Sequence, residues 1–122
     1  MSQTRSLPCL YVACDMELDG PNIRQNSMLS MAFRCRTPRG VAVGKPFDVN
    51  LKLRPGATFN INTMDFWYQY PKAYDDWALG EKHAPAEAMH MFKAWLTVTT
   101  QGYTPILLSD AIGCEWEWLN AY

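Results

Sequence analysis

No apolar run in the chain approaches the roughly 20 residues of a membrane span, and Met1-Ser2-Gln3-Thr4-Arg5-Ser6 lacks the long apolar segment of a signal peptide. A cytoplasmic protein with no membrane partner is expected. Cysteine is sparse, and Cys9, Cys14, Cys35 and Cys114 show no C-x-x-C spacing. Three of them lie in apolar stretches, so they read as reduced core residues and not as disulfides or zinc ligands. Net charge is nearly absent at −1, but it is unevenly placed. Residues 1–54 carry eight Lys or Arg against four acids, a net of +4, and residues 55–122 carry three against eight, a net of −5. One half is suited to phosphates while the other supplies acids, although charges separated along a chain also occur on an ordinary solvated surface.

What is present is an ordered globular composition, 48% hydrophobic and 13% aromatic. At 122 residues it reads as one domain with a real core, and multidomain readings are excluded. A first strand runs from about Pro8 to Asp15, apolar on both faces as a central strand is. A second covers Ser27 to Arg36, and Thr37-Pro38-Arg39-Gly40 turns the chain into a hairpin. The third strand alternates, with Phe47, Val49, Leu51 and Leu53 on one face and Asp48, Asn50, Lys52 and Arg54 on the other, before Pro55-Gly56 ends it. From Ala57 to Ala84 periodicity is poor and aromatics crowd together, which predicts short helices in a long loop. Those rings pack under the loop or stack single-stranded bases. Pro85 opens a helix with Ala88, Met89, Phe92, Trp95, Leu96 and Thr99 at helical spacing, stopped by Gly102. Pro105-Ile106-Leu107-Leu108-Ser109 has the signature of a strand buried on both faces, and a last helix starts near Cys114.

The most informative residues are Asp15 and Glu17, which close the first apolar run ahead of the turn Asp19-Gly20-Pro21. In an extended strand, residues i and i+2 share a face about 6.5 to 7 Å apart. Two carboxylates so placed repel one another unless a cation sits on them, and hard divalent ions take such oxygen ligands against a phosphate substrate. The alternative is a strand whose last residues are polar because it has reached solvent. If the fourth strand lies parallel beside the first, Asp110 and the first turn of the last helix arrive next to this pair. Glu115 then becomes a third carboxylate, or simply a residue favoured at a helix N-terminus.

The blocks Cys14-Asp15-Met16-Glu17-Leu18-Asp19-Gly20-Pro21, leading to Asn26-Ser27-Met28-Leu29-Ser30-Met31-Ala32, and Ser109-Asp110-Ala111-Ile112-Gly113-Cys114-Glu115-Trp116-Glu117-Trp118-Leu119 resemble the first and second motifs of the DEDDh family of 3′-to-5′ exonucleases. The resemblance implies an α/β, ribonuclease H-like mixed sheet over residues 1–122. Strands 1 to 3 would form an antiparallel meander, strand 4 would lie parallel to strand 1, and helices would flank the sheet, with the C-terminal part of the domain missing. It also implies a hydrolase cleaving phosphodiester bonds at the 3′ end of single-stranded nucleic acid with two Mg²⁺ or Mn²⁺ ions. Asp15, Glu17 and Glu115 would be the catalytic metal ligands, Asp110 an additional carboxylate, and Leu18, Asp19 and Gly20 the backbone that meets the terminal nucleotide.

Two departures bear on catalysis. Glu115 stands where the family has Asp, and one extra methylene disturbs the octahedral geometry that Mg²⁺ demands. The family's third motif, a His base and a final Asp, lies downstream of the second, whereas His83 and His90 precede it and read as ordinary surface or core-edge residues. Without that part the strand Ile106 to Leu108 would be a bare edge, open to a second copy of the chain or a completing chain. The expectation is therefore a metal-dependent exonuclease or, from another class, a fragment or remnant that binds nucleotide or a partner chain without turnover.

Overall fold

The first element, β1 (Cys9–Leu18), is apolar on both faces as read but is covered on only one: Leu10, Val12 and Cys14 are buried in the core, while Tyr11 is half-buried and Ala13 exposed on the other face. The computed structural model describes residues 6–109 and 114–122. β1 outlasts the expected end at Asp15, so both acidic residues lie inside it. Its length is set by antiparallel pairing with β2 (Met28–Arg36), which continues past the apolar run and slips only between Glu17 and Leu18. Gly40 closes the following turn, its N–H donating to the Thr37 carbonyl at 2.8 Å with φ at +85°, a conformation suited to glycine.

β3 (Phe47–Asn50) is shorter than its alternating pattern predicts. Phe47, Val49 and Leu51 are buried as expected, but Leu53 is 50% exposed. After Asn50 the chain gains a second partner: the Leu51 N–H still donates to the Leu29 carbonyl of β2 at 2.8 Å, while Leu51 also bridges to His83 and the Lys52 N–H donates to the His83 carbonyl at 2.8 Å. Arg54 is likewise not on an open face. Its guanidinium lies 5.6 Å from the Trp118 ring and 5.0 Å from the Tyr122 ring, two cation–π contacts that join the end of the third strand region to the last helix.

The aromatic stretch folds as two short helices, α1 (Ile61–Tyr68) and α2 (Pro71–Ala78). Part of it packs under the loop as read: Trp67 packs with Leu29 and Met64, and Tyr74 and Trp77 pack against them, while Phe66, Tyr68 and Tyr70 stay exposed. α3 (Pro85–Thr99) starts on its proline and buries Ala88, Met89 and Phe92. β4 (Thr104–Leu108) and α4 (Cys114–Ala121) complete the chain. The sheet order is β3-β2-β1-β4, antiparallel except for β4, which is parallel to β1. This is the mixed sheet expected. α3 and α4 cover one face, where Leu10, Val12, Met31, Phe33 and Val49 meet Phe92 and Trp118. The Phe33 and Phe92 rings stack at 4.3 Å between centroids.

β4 corrects one expectation. It is not buried on both faces: Ile106 is 38% and Leu108 44% exposed, and only Leu107 is turned to the helices. An apolar run signals burial only where layers lie on both sides, and β4 is an edge strand with one uncovered face. The edge is already blunted. The Thr104 N–H donates to the Pro8 carbonyl in β1's direction, so the alternate residue Pro105 points its nitrogen outward, where no ladder bond is lost. Among the described residues no helix is long and apolar enough to cross a membrane.

Candidate active site

Alternation along β1 puts Tyr11, Ala13, Asp15 and Glu17 on the face opposite the core. Asp15 lies across from Ala32 and Glu17 across from Ser30 on β2. Among the described residues the ion pairs are Arg34–Asp48, His83–Glu81 and His83–Glu87, so neither β1 carboxylate has a cationic partner. Glu17 stands at the wall of a cavity of about 100 Å³ lined by Leu29, Ser30, Trp67, Tyr74 and Trp77. Partial loss of hydration against this wall, and secondarily the charge of Asp15, raise the Glu17 carboxyl above the ordinary carboxylate range.

The third carboxylate comes from α4. Trp118, 1% exposed, anchors that helix in the core, and Glu115 lies nearly one turn earlier. Glu115 is itself buried at 7% exposure and accepts a hydrogen bond from the Ser109 hydroxyl at 2.5 Å. Ser109 follows Leu108, the parallel partner of Ala13, which places it at the open end of the β1–β4 pairing. Cys14 links the two acidic elements electrostatically. Its thiol is pushed up to about 12, first by burial, then by the charge of Glu115, then by that of Asp15.

The described residues stop short of a complete ion cage: among them no group of three His, Cys, Asp or Glu side chains is assembled to hold a metal. Asp110 lies outside the described residues. The donors that are present, all carboxylate oxygens with two on one face, are of the type that suits hard divalent cations. Of the four cysteines, Cys14 and Cys35 are buried and free, as expected, whereas Cys9 is exposed.

Leu18, Asp19 and Gly20 are built into the scaffold beside this pair. The Leu18 carbonyl accepts from the Trp67 indole at 3.0 Å and the Asp19 carbonyl from the Asn60 N–H at 2.8 Å, so the turn is tied to α1. The buried Asp19 carboxylate accepts from the Ser27 N–H at 2.6 Å. Glycine is required at position 20 by space: a Cβ there would stand 2.1 Å from the Asn26 Oδ1. That amide cannot retreat freely, since it accepts from the Asn22 N–H and donates to the Thr58 carbonyl. Gly20→Ala is expected to lower stability by about 2 kcal/mol, the usual size of an overpacking penalty, measured by urea denaturation. An unchanged midpoint would show that the Asn26 bridge yields.

Sequence reasoning did not find the Ser109 partner of Glu115, nor the wall of Trp67, Tyr74 and Trp77 beside Glu17. The wall had a signal in the aromatic crowding, but no pattern tied it to β1.

No family model matches the chain, and no curated protein matches it. Among solved structures, the crystal structure of cell-death related nuclease 4 (CRN-4) matches with a TM-score of 0.61 and 16% sequence identity, over 93% of this chain and 40% of that one. The likeness is one of fold, and it shows the ribonuclease H-like arrangement read above. This chain spans less than half the length of that nuclease.

Proposed function

We propose that this chain acts as a divalent-metal-dependent nuclease of the DEDDh 3′-to-5′ exonuclease type, hydrolysing phosphodiester bonds at the 3′ end of single-stranded nucleic acid. One observation carries the reading: Asp15 and Glu17 share a face of β1 with no cationic partner among the described residues, in a fold shared with a nuclease. Asp15, Glu17 and Glu115 are the residues that would hold Mg²⁺ or Mn²⁺, and bound ions would neutralise the attacking and leaving oxygens of in-line displacement. Asp15, exposed on the open face, presents its carboxylate to the approaching substrate. Trp67, Tyr74 and Trp77 limit water on one side of Glu17. Ser109 orients Glu115, and Trp118 presses the start of α4 to the sheet.

A second reading is a catalytically impaired fragment or remnant that binds nucleotide or a partner chain without turnover, favoured by Glu115 standing where the resembled family has Asp. Incubation with a 5′-labelled single strand in Mg²⁺ or Mn²⁺ separates the two. The exonuclease reading predicts a ladder of products shortened from the 3′ end and lost in EDTA. A full-length strand after prolonged incubation in either ion, with binding retained, would establish the second.

A further inference from the structure

The face that carries Asp15 and Glu17 continues away from them as a track across β1 and β2. Its successive cross-strand pairs are Glu17–Ser30, Asp15–Ala32, Ala13–Arg34 and Tyr11–Arg36. The middle of the track has a low floor, since Ala13 and Ala32 have almost no side chain to hold a ligand off the sheet. Ala13, Arg34 and Arg36 are exposed, and Tyr11 is half-buried. Arg34 and Arg36 are two apart on one strand, so their guanidinium groups leave the sheet about 6.5 to 7 Å apart at the backbone. Arg34 bonds Asp48 at 3.2 Å and the Phe33 carbonyl at 2.9 Å, both through Nη1, and Arg36 bonds the Gly40 carbonyl through Nη1. Among the described residues the Nε–Nη2 edge of each fork has no partner, and that edge is the one that meets a phosphate bidentately.

We infer that this track binds the nucleotides upstream of the cleaved bond, with Arg34 and Arg36 on successive phosphates of an extended single strand and Tyr11 stacking a base. The inference rests on the proposed nuclease reading and extends it from the reacting phosphate to the strand behind it. Donor geometry selects the occupant. Arg36 and the free edge of Arg34, whose charge Asp48 of β3 partly offsets on the same face, stand at the far end of a small-residue floor and match successive phosphates of a strand that must also reach two carboxylates at the near end, where ions would offset the like charge. Apolar Ile106 and Leu108 beside Tyr11 and Ala13 offer sugar and base surfaces a place to rest.

The test is binding, not turnover: fluorescence anisotropy of labelled oligothymidylate and oligouridylate in EDTA, with full-length Asp15→Asn protein. Replacing both Arg34 and Arg36 by Ala is expected to weaken oligonucleotide binding at least about tenfold and to flatten the salt dependence by about 1.4 in log–log slope, for two lost single-strand phosphate contacts. Tyr11→Ala is expected to weaken it about tenfold. Binding of a mononucleotide, which cannot span the track, is expected to be unchanged. Should the Ala pair fail to fold, the Gln pair gives the same reading. Equal affinity and slope for parent and variant, or no binding by the parent at low salt, would overturn the inference. So would a polypeptide occupant, seen as self-association in sedimentation that Ile106→Asp abolishes while oligonucleotide binding is untouched. Because no metal or cleavage enters the assay, failure of the nuclease reading leaves a distinct result: track-dependent binding with no hydrolysis by the parent chain.

Discussion

Asp15→Asn is expected to reduce nuclease turnover by at least about 10³-fold while leaving the fold intact. Neutralising charge at a transferring phosphate is worth several kcal/mol of barrier, and each 1.36 kcal/mol is tenfold in rate. The substitution preserves size and removes the charge that, with burial, raises Glu17. Asp15 is exposed on the uncovered face and makes no side-chain hydrogen bond among the described residues, so the melting temperature should move little. In the absence of metal it should even rise slightly, because like-charge repulsion with Glu17 is relieved. A rate assay on a labelled single strand, beside a thermal melt, checks both halves. A variant that cuts as fast as its parent removes Asp15 from the chemistry, and a large fall in melting temperature would mean that its role is structural.

The second large effect is on stability. Trp118→Ala is expected to lower the unfolding free energy by about 4 kcal/mol, because a fully buried tryptophan leaves a cavity that a small core cannot collapse into. Trp118 is 1% exposed, packs in the main core, and carries the Arg54 and Tyr122 contacts that fasten α4 to the rest of the chain. For a domain of this size the loss corresponds to a fall in melting temperature on the order of 15 °C. Trp118→Phe, which keeps an aromatic group in the cavity, should lose less than half of that. The functional consequence follows from position: Glu115 is held nearly one turn before Trp118, so loosening the helix also removes the third carboxylate. Circular dichroism melts of both variants check the prediction, and a Trp118→Ala protein as stable as its parent would show that α4 is not anchored by this ring.

The sheet was readable because β1 is a continuous apolar run, the second strand runs into a Pro-Gly turn, and α3 has helical spacing after Pro85. The end of β3 was not readable, since Leu51 keeps its apolar phase and its bond to Leu29 of β2 while the chain begins to pair with His83 as well. The exposure of β4 escaped for a different reason. An apolar run records what a strand is able to bury, not which layers are there to bury it, so Ile106 and Leu108 carry no mark of their open face. At the site, the shared face of Asp15 and Glu17 follows from their spacing alone. The bond from Ser109 to Glu115 does not, because it depends on how β4 and α4 meet, and no periodicity encodes that. Arg54 reads as one more solvent-facing residue of an alternating strand, yet ring stacking draws it inward.

Paramagnetic broadening by Mn²⁺ tests most directly whether these acids gather a cation. Titration of the isotope-labelled chain is predicted to broaden the amides of residues 14–18 on β1 and of Ser109 and Glu115 selectively, at substoichiometric ion, with Asp15→Asn abolishing the effect. Broadening spread evenly over the acidic surface, or centred on His83 and Glu87 instead, would contradict it.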